Sequence, residues 1–131
     1  MLPTAKTSTH APRLGLLFSY DWDDTAFERH ALGRGGSYRF DRAGFDLFSF
    51  PSNAQLIGFD LERFAERTAQ RGRRRGWQGV VSHHEQFGAL ASALVAERMG
   101  LPGVRPEAVI ACQHKLYTRQ VLDSVAPEAN V

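Results

Sequence analysis

The chain has 131 residues, 43% of them hydrophobic and 23% charged, which suits one compact domain with a core and excludes a disordered chain or a large multi-domain enzyme. The net charge is +2. The 16 basic residues are 14 arginines and two lysines, Lys6 and Lys115. No apolar run reaches the roughly 20 residues of a membrane helix, no signal peptide is visible, and the single cysteine fits a reducing compartment, so we expect a cytoplasmic protein without membrane contact.

The first third of the chain predicts a strand, a helix and a second strand. Residues 14–19 form an apolar run without helical period, as in a strand covered on both faces. Residues 20–30 predict a helix with Asp21, Asp23 and Asp24 at its N-terminal end, where the helix dipole favours acids; a metal-binding acidic cluster is the alternative. Glycines at 33, 35 and 36 predict a loop, and residues 45–50 predict the second strand.

The next helix is predicted to begin at Asp60, a good N-cap, with Phe59 and Phe64 at the two positions of a hydrophobic staple. We expect Gly72 and the arginine run 71–75 to end it. Cations are favoured at a helix C-terminus, so this run is interpreted as a solvated helix end rather than as a phosphate-binding patch. No aromatic residues interleave the arginines, and we expect no nucleic-acid partner.

The last third predicts a short strand over residues 77–82 and two helices. Ser82 and Glu85 have the spacing of a capping box for a helix that ends at Gly100. A last helix is predicted over residues 106–122, with Pro106 in its first turn. Cys112 lies on the apolar stripe of that helix, which favours a buried small hydrophobe over a nucleophile.

Strands that alternate with helices predict an α/β fold of three layers, with a small parallel sheet flanked by helices. We expect a flexible segment over residues 1–12, the α/β domain over 13–125 and a tail over 126–131. Ligands of such sheets bind at the carboxyl ends of the strands, so the candidate substrate residues are Asp21, Ser82, His83, His84 and Glu85. Local capping and a metal or acid–base role remain alternatives for the run Ser82–Glu85. No G-x-G-x-x-G follows the first strand, which disfavours dinucleotide binding.

The second half of the chain contains G-L-P-G at 100–103, a predicted helix that begins with Pro106, and C-Q-H-K-L-Y-T-R at 112–119. These residues resemble the end of the N-terminal domain of ATP-grasp enzymes, and residues 79–88 resemble the strand and helix opening that precede it. The family pattern is C-x-D-K-x-x-x-R, so His114 stands where an aspartate is usual. The similarity extends over roughly residues 45–122 and implies a Rossmann-like, pre-ATP-grasp domain.

The resemblance implies one cofactor-binding residue, Lys115, because the family's lysine at this position commonly reaches the phosphates of ATP. ATP and Mg²⁺ belong to the complete enzyme, and no metal site or catalytic residue is expected in this chain. The glycine-rich loop and the Mg²⁺ ligands of the family are not found in the sequence, so we expect an ATP-binding module in the same or an adjacent polypeptide. The chain alone is expected to be inactive.

The function implied is therefore the substrate-side domain of an ATP-dependent carboxylate ligase or carboxylase. The alternative is a free-standing α/β binding or interaction module without chemistry. The first hypothesis predicts an exposed apolar patch around Ile110, Tyr117, Val121 and Val125, through which the chain is also expected to form homodimers. The second predicts that the last helix folds back and buries this patch.

Overall fold

The structure, a computed structural model, describes residues 11–23, 25–26, 29 and 38–129. Its three strands are β1 (Arg13–Leu17), β2 (Arg39–Ala43) and β3 (Gly79–Val81). Its α-helices are α1 (Leu61–Arg75), α2 (Phe87–Met99), α3 (Pro106–Gln113) and α4 (Lys115–Val125), with short 3₁₀ helices at Ser52–Leu56 and Pro127–Ala129. The described residues between 21 and 29 are also helical. The predicted glycine loop at 33–36, Asp24 and nearly all of the predicted N-terminal segment lie outside the described residues.

The sheet is parallel and has the strand order β2-β1-β3. Leu14 of β1 pairs with Phe40 on one side and with Gly79 on the other. Leu16 and Leu17 point to opposite faces of the sheet and are both buried, so both faces of β1 are covered, which explains its apolar sequence. The predicted parallel α/β fold is confirmed at this level.

The second strand was predicted in the wrong place. Residues 45–50 form a loop, and the strand is Arg39–Ala43, whose sequence R-F-D-R-A carries three charges. The aromatic residues of the loop have other roles: Phe45 packs against the core, whereas Phe50 is 83% exposed. A polar edge strand has no strong hydrophobic signal, and a loop rich in phenylalanine imitates one.

The core is centred on Phe18, which directly follows β1 and is fully buried. Its ring contacts the rings of Phe45, Phe59, Phe64 and Phe87 at centroid distances of 5.0 to 6.1 Å. Small residues of α1 and α2, namely Ala65, Ala69 and Ala91, complete the cluster together with Leu17, Trp77 and Val95. Alanines at these positions let the two helices approach each other closely over the end of β1.

A second cluster connects β1, β2 and the segment before β3 to the end of α1. The indole Nε1 of Trp77 donates to Asp41 Oδ2 at 2.7 Å, and Arg75 donates to both oxygens of the same carboxylate at 3.2 Å. Arg13 of β1 lies 3.5 Å from Asp41. Gly15 pairs with Asp41 in register, and any side chain there would collide with the Trp77 ring. The glycine therefore leaves room for the indole to reach Asp41.

Burial raises the pKa of Asp41, but the hydrogen bonds from Trp77 and Arg75 and the positive charges of Arg13 and Arg75 lower it further, so that the net shift is downward. The side chain is only 12% exposed. The ionised carboxylate is thus stabilised by the fold.

The predicted start of α1 is confirmed. Asp60 accepts a hydrogen bond from the N–H of Arg63 at 2.9 Å, and the rings of Phe59 and Phe64 lie 5.3 Å apart. The helix ends at Arg75, followed by Gly76 in the left-handed conformation, so it continues past Gly72 through the arginine run. The interpretation of that run as the end of a helix is confirmed.

Three predictions about the last third are wrong. Ser82 and Glu85 do not form a capping box, because α2 begins at Phe87 and its first turn is capped by the ring of His84, whose Nδ1 accepts from the N–H of Gly88 at 3.3 Å. The last helix is interrupted at His114, which has extended backbone angles and whose Nδ1 accepts from the N–H of Tyr117. Cys112 is exposed rather than buried. None of the described helices has the length and apolarity needed to cross a bilayer.

We predict that Asp41→Asn lowers the free energy of unfolding by about 1 kcal/mol at pH 7, because it removes the charge that Arg13 and Arg75 face. A carboxylate with a lowered pKa adds stability that is complete above its ordinary pKa and is lost as the pH falls through the lowered one. The difference between the wild type and the variant should therefore shrink below about pH 4. Urea unfolding at pH 7 and pH 3 measures it, with exposed Asp21→Asn as control. An undiminished difference at pH 3 contradicts the prediction.

Candidate functional site

The candidate site lies at the carboxyl edge of the sheet, between β1 and β3. The chain leaves β1 toward β2 on one side and later reaches β3 on the other, so the connections diverge between these two strands. In open parallel sheets, this divergence opens a crevice beyond the strand ends, where ligands bind. The residues that follow β1 and β3 therefore form the candidate site.

Asp23 and His83 form a hydrogen-bonded pair across this edge. Nδ1 of His83 lies 2.9 Å from Oδ1 of Asp23. Asp23 is 7% exposed, whereas the His83 side chain is 40% exposed, so the carboxylate lies beneath a ring that reaches the surface. The hydrogen bond joins the segment that follows β1 to the segment that follows β3.

The other residues of the run after β3 shape the backbone. The hydroxyl of Ser82 accepts from the N–H of His84 at 3.2 Å, and the carbonyl of His84 accepts from the N–H of Ala89 at 2.8 Å. Ser82 and His84 thus turn the chain from β3 into α2. The local capping interpretation therefore applies to Ser82 and His84, whereas the His83 side chain contacts Asp23.

Aromatic side chains pack next to His84 at this edge. The ring of Phe48 lies 5.0 Å from the ring of Tyr20 and 5.4 Å from the ring of His84. Phe48 is held by a tight turn in which Asp46 Oδ1 accepts from the N–H of Phe48 at 2.8 Å. Hydrogen bonds from the Ser49 side chain and from this N–H lower the pKa of Asp46, so its carboxylate stays ionised and keeps the turn in place.

The start of α4 is tied to the same edge. The side-chain amide of Gln113, the last residue of α3, donates to the carbonyl oxygens of Glu85 and Gln86 at 3.1 and 2.8 Å. Lys115 is the first residue of α4 and is exposed. The lysine singled out by the resemblance therefore belongs to a helix start that is anchored to the loop after β3.

The structure brings some of the predicted site residues together and separates others. Ser82, His83 and His84 lie together after β3, and Glu85 is exposed and contributes its backbone carbonyl to the Gln113 contact. Asp21 is exposed, and its carbonyl accepts from the Thr25 hydroxyl. Asp23 lies in the first turn of the helix, as expected, and its Oδ1 is hydrogen-bonded to His83.

Sequence reasoning missed Asp23 as the partner of His83, and it missed Tyr20, Phe48 and Gln113. The signal for Asp23 was present, because the first turn after a central strand lies next to the end of the neighbouring parallel strand. No signal marked Phe48, since its loop was taken for a strand. Gln113 had none either, because its contact depends on the break after it.

Within the described ranges, no group of three His, Cys, Asp or Glu side chains is close enough to hold a metal ion. The chain matches no protein-family model, no curated protein and no solved structure.

We predict a coupling free energy of about 1 kcal/mol between Asp23 and His83 in a double-mutant cycle with Asp23→Ala and His83→Ala, because each side chain is the other's hydrogen-bond partner. Urea unfolding of the four proteins measures it. The matched control replaces Asp21, the exposed acid two residues earlier, and should give a coupling near zero. Equal coupling for Asp21 and Asp23 contradicts the pairing.

Proposed function

We propose that this chain is the N-terminal, substrate-side domain of an ATP-dependent carboxylate ligase or carboxylase of the ATP-grasp superfamily, and that it does not catalyse alone. The complete enzyme activates a carboxylate as an acyl phosphate and transfers the acyl group to a nucleophile. The three-layer, Rossmann-like architecture and the cytoplasmic location belong to this proposal.

The observation that carries the proposal is the anchoring of α4 by Gln113. Its hydrogen bonds to the carbonyls of Glu85 and Gln86 hold the helix start close to the loop that contains His83. A ligase needs its phosphate-binding group and its substrate contacts on one side of a cleft. In this chain Lys115 and the Asp23–His83 pair stand on elements that meet at one edge of the sheet.

A second observation supports an enzyme part over a free-standing module. Ile110, Tyr117, Val121 and Val125 are exposed, as predicted, and Val125 is 71% exposed. Within the described residues, α4 contacts mainly α3 and the 3₁₀ helix that follows it. A free-standing module was expected to bury this stripe, whereas an ATP-binding module of the same or an adjacent polypeptide would cover it.

The residues present indicate which part of the reaction this chain would contribute and which part the ATP-binding module would contribute. Lys115 offers a mobile ammonium group and would hold a phosphate oxygen of ATP. ATP would supply the phosphoryl group that activates the carboxylate, and Mg²⁺ would compensate the negative charge of the phosphates. The described residues hold no group of carboxylates for Mg²⁺, so its ligands and the glycine-rich loop are assigned to the ATP-binding module.

The isolated chain should gain no thermal stability from millimolar Mg-ATP. A single charge-assisted hydrogen bond contributes about 1.5–3 kcal/mol, whereas even millimolar affinity requires about 4 kcal/mol. Thermal-shift titration of the wild type and Lys115→Ala measures this. Saturation at ten times Kd would add about 1.4 kcal/mol, a shift of several degrees. A shift that disappears in Lys115→Ala would contradict the claim that the site is incomplete.

The decisive experiment determines the coding sequence around this domain in its gene and expresses the domain with the ATP-binding module found there. Lys115→Ala should then lower carboxylate-dependent phosphate release from ATP by roughly ten- to a hundredfold, the loss expected for one charged hydrogen bond. Gln120→Ala, an exposed residue of the same helix, is the control. The proposal fails if neither the same reading frame nor an adjacent gene encodes an ATP-binding module.

A further inference from the structure

The outer side of α1 carries a row of arginines. Residues three or four positions apart are neighbours on the surface of a helix, and the row occupies such positions over about three turns. Its members, which are all exposed, are Arg63, Arg67, Arg71 and Arg74. Since each residue of a helix adds about 1.5 Å along the axis, the row is about 16 Å long. This arginine row is the longest line of positive charge on any helix of the part that the structure describes.

The positive charge of the arginine row is not neutralised within the fold. The acids of the same helix, Glu62 and Glu66, lie on the flank toward α2 and are paired with Arg98. Glu66 also accepts a hydrogen bond from the Gln70 amide at 2.9 Å. Among the described residues, no acid forms an ion pair with any of the four guanidinium groups of the row. Their charge is therefore available to an external anion.

The helix dipole explains only the end of the arginine row. It favours Arg74 in the last turn, but it disfavours Arg63, which lies in the first turn. Arg67 has a like charge four residues away on both sides, and such pairs lower the stability of a helix. A bound polyanion would remove this repulsion.

The composition of the outer side of α1 indicates which polyanion fits it. Every exposed residue of this helix is arginine, glutamate or glutamine. A helix that binds a membrane needs an apolar face that enters the lipid, and stable protein interfaces have an apolar centre, so this surface is suited to neither. Guanidinium groups bind phosphate oxygens through two parallel hydrogen bonds. The phosphates of a nucleic-acid strand recur at a spacing close to the rise of about 6 Å over four helical residues.

We propose that the arginine row binds the phosphodiester backbone of a nucleic-acid duplex and does not read its base sequence. The expectation of no nucleic-acid partner rested on the absence of aromatic residues among the arginines of residues 71–75. That absence argues against unpaired bases, which stack on aromatic rings. A duplex needs no such ring, because its bases stack on one another and its phosphates face outward. This inference goes beyond the proposed function and does not depend on it.

Fluorescence anisotropy of a short labelled duplex, titrated with the chain at several NaCl concentrations, tests the inference. Four phosphate contacts predict that the logarithm of the binding constant falls against the logarithm of the salt concentration with a slope of about −3.6. The dissociation constant should be micromolar at low salt, and a duplex of another sequence should bind equally well. DNA and RNA duplexes of one sequence distinguish the two sources of the backbone.

Arg67→Gln, in the middle of the arginine row, should weaken duplex binding about fivefold at low salt and make the salt slope less steep by about one. The matched control is Arg105→Gln, which removes the same charge from the exposed residue before α3 and should leave binding unchanged. Glutamine has a helix propensity close to that of arginine, and Arg67→Gln relieves two like-charge pairs. The melting temperature of this variant should therefore be equal to that of the wild type or slightly higher.

Absence of binding to both duplexes at low salt, a salt slope near zero, or equal losses in Arg67→Gln and Arg105→Gln would overturn the inference. Tighter binding of polyglutamate or of phosphatidylserine vesicles than of either duplex would also overturn it, because the row would then belong to an acidic protein or a membrane. None of these outcomes bears on the proposed function, which is tested separately by phosphate release and Lys115→Ala.

Discussion

The backbone conformation of Phe18 is the constraint on which the rest of the structure depends. Its φ is +52°, a left-handed conformation that bulky residues rarely adopt and that costs about 1–3 kcal/mol. The conformation is held because the Phe18 N–H donates to the carbonyl of Ala43 and because the ring is buried among four other phenylalanine rings. Gly44 leaves space for the ring, since a Cβ there would lie 2.6 Å from it. One residue thus ends β1, fixes the end of β2 and redirects the chain into the segment that carries Asp23 to His83.

Local signals in the sequence were sufficient for much of this fold. The apolar run of β1, the Asp60 cap with its Phe59 and Phe64 staple, and the glycine at the end of α2 each depend on residues within a few positions of one another. The alternation of strands and helices predicted parallel pairing, because each connection is long enough for a crossover. That topology alone was sufficient to predict the carboxyl edge of the sheet as the ligand site and to place His83 there.

What could not be predicted depends on contacts between distant parts of the chain. β2 is an edge strand whose carboxylate, Asp41, is stabilised by residues from β1 and from the end of α1, so its sequence shows no hydrophobic alternation. The break at His114 replaces a continuous helix by a side-chain cap, in which the His114 ring accepts from the N–H of Tyr117. The partnership of Asp23 with His83 joins residues sixty positions apart.

The charges of β2 have a further consequence for how the molecule behaves at high concentration. In the part of the chain that the structure describes, β2 has a strand neighbour on one side only, so its outer N–H and C=O groups are a template on which another chain could add a strand. Arg39, Asp41 and Arg42 make such addition unfavourable, because a second copy would bring like charges together and desolvate them. β3, at the opposite edge, is only three residues long and offers little to pair with. The same polarity that hides β2 from a hydrophobic pattern search protects the sheet from edge-to-edge aggregation.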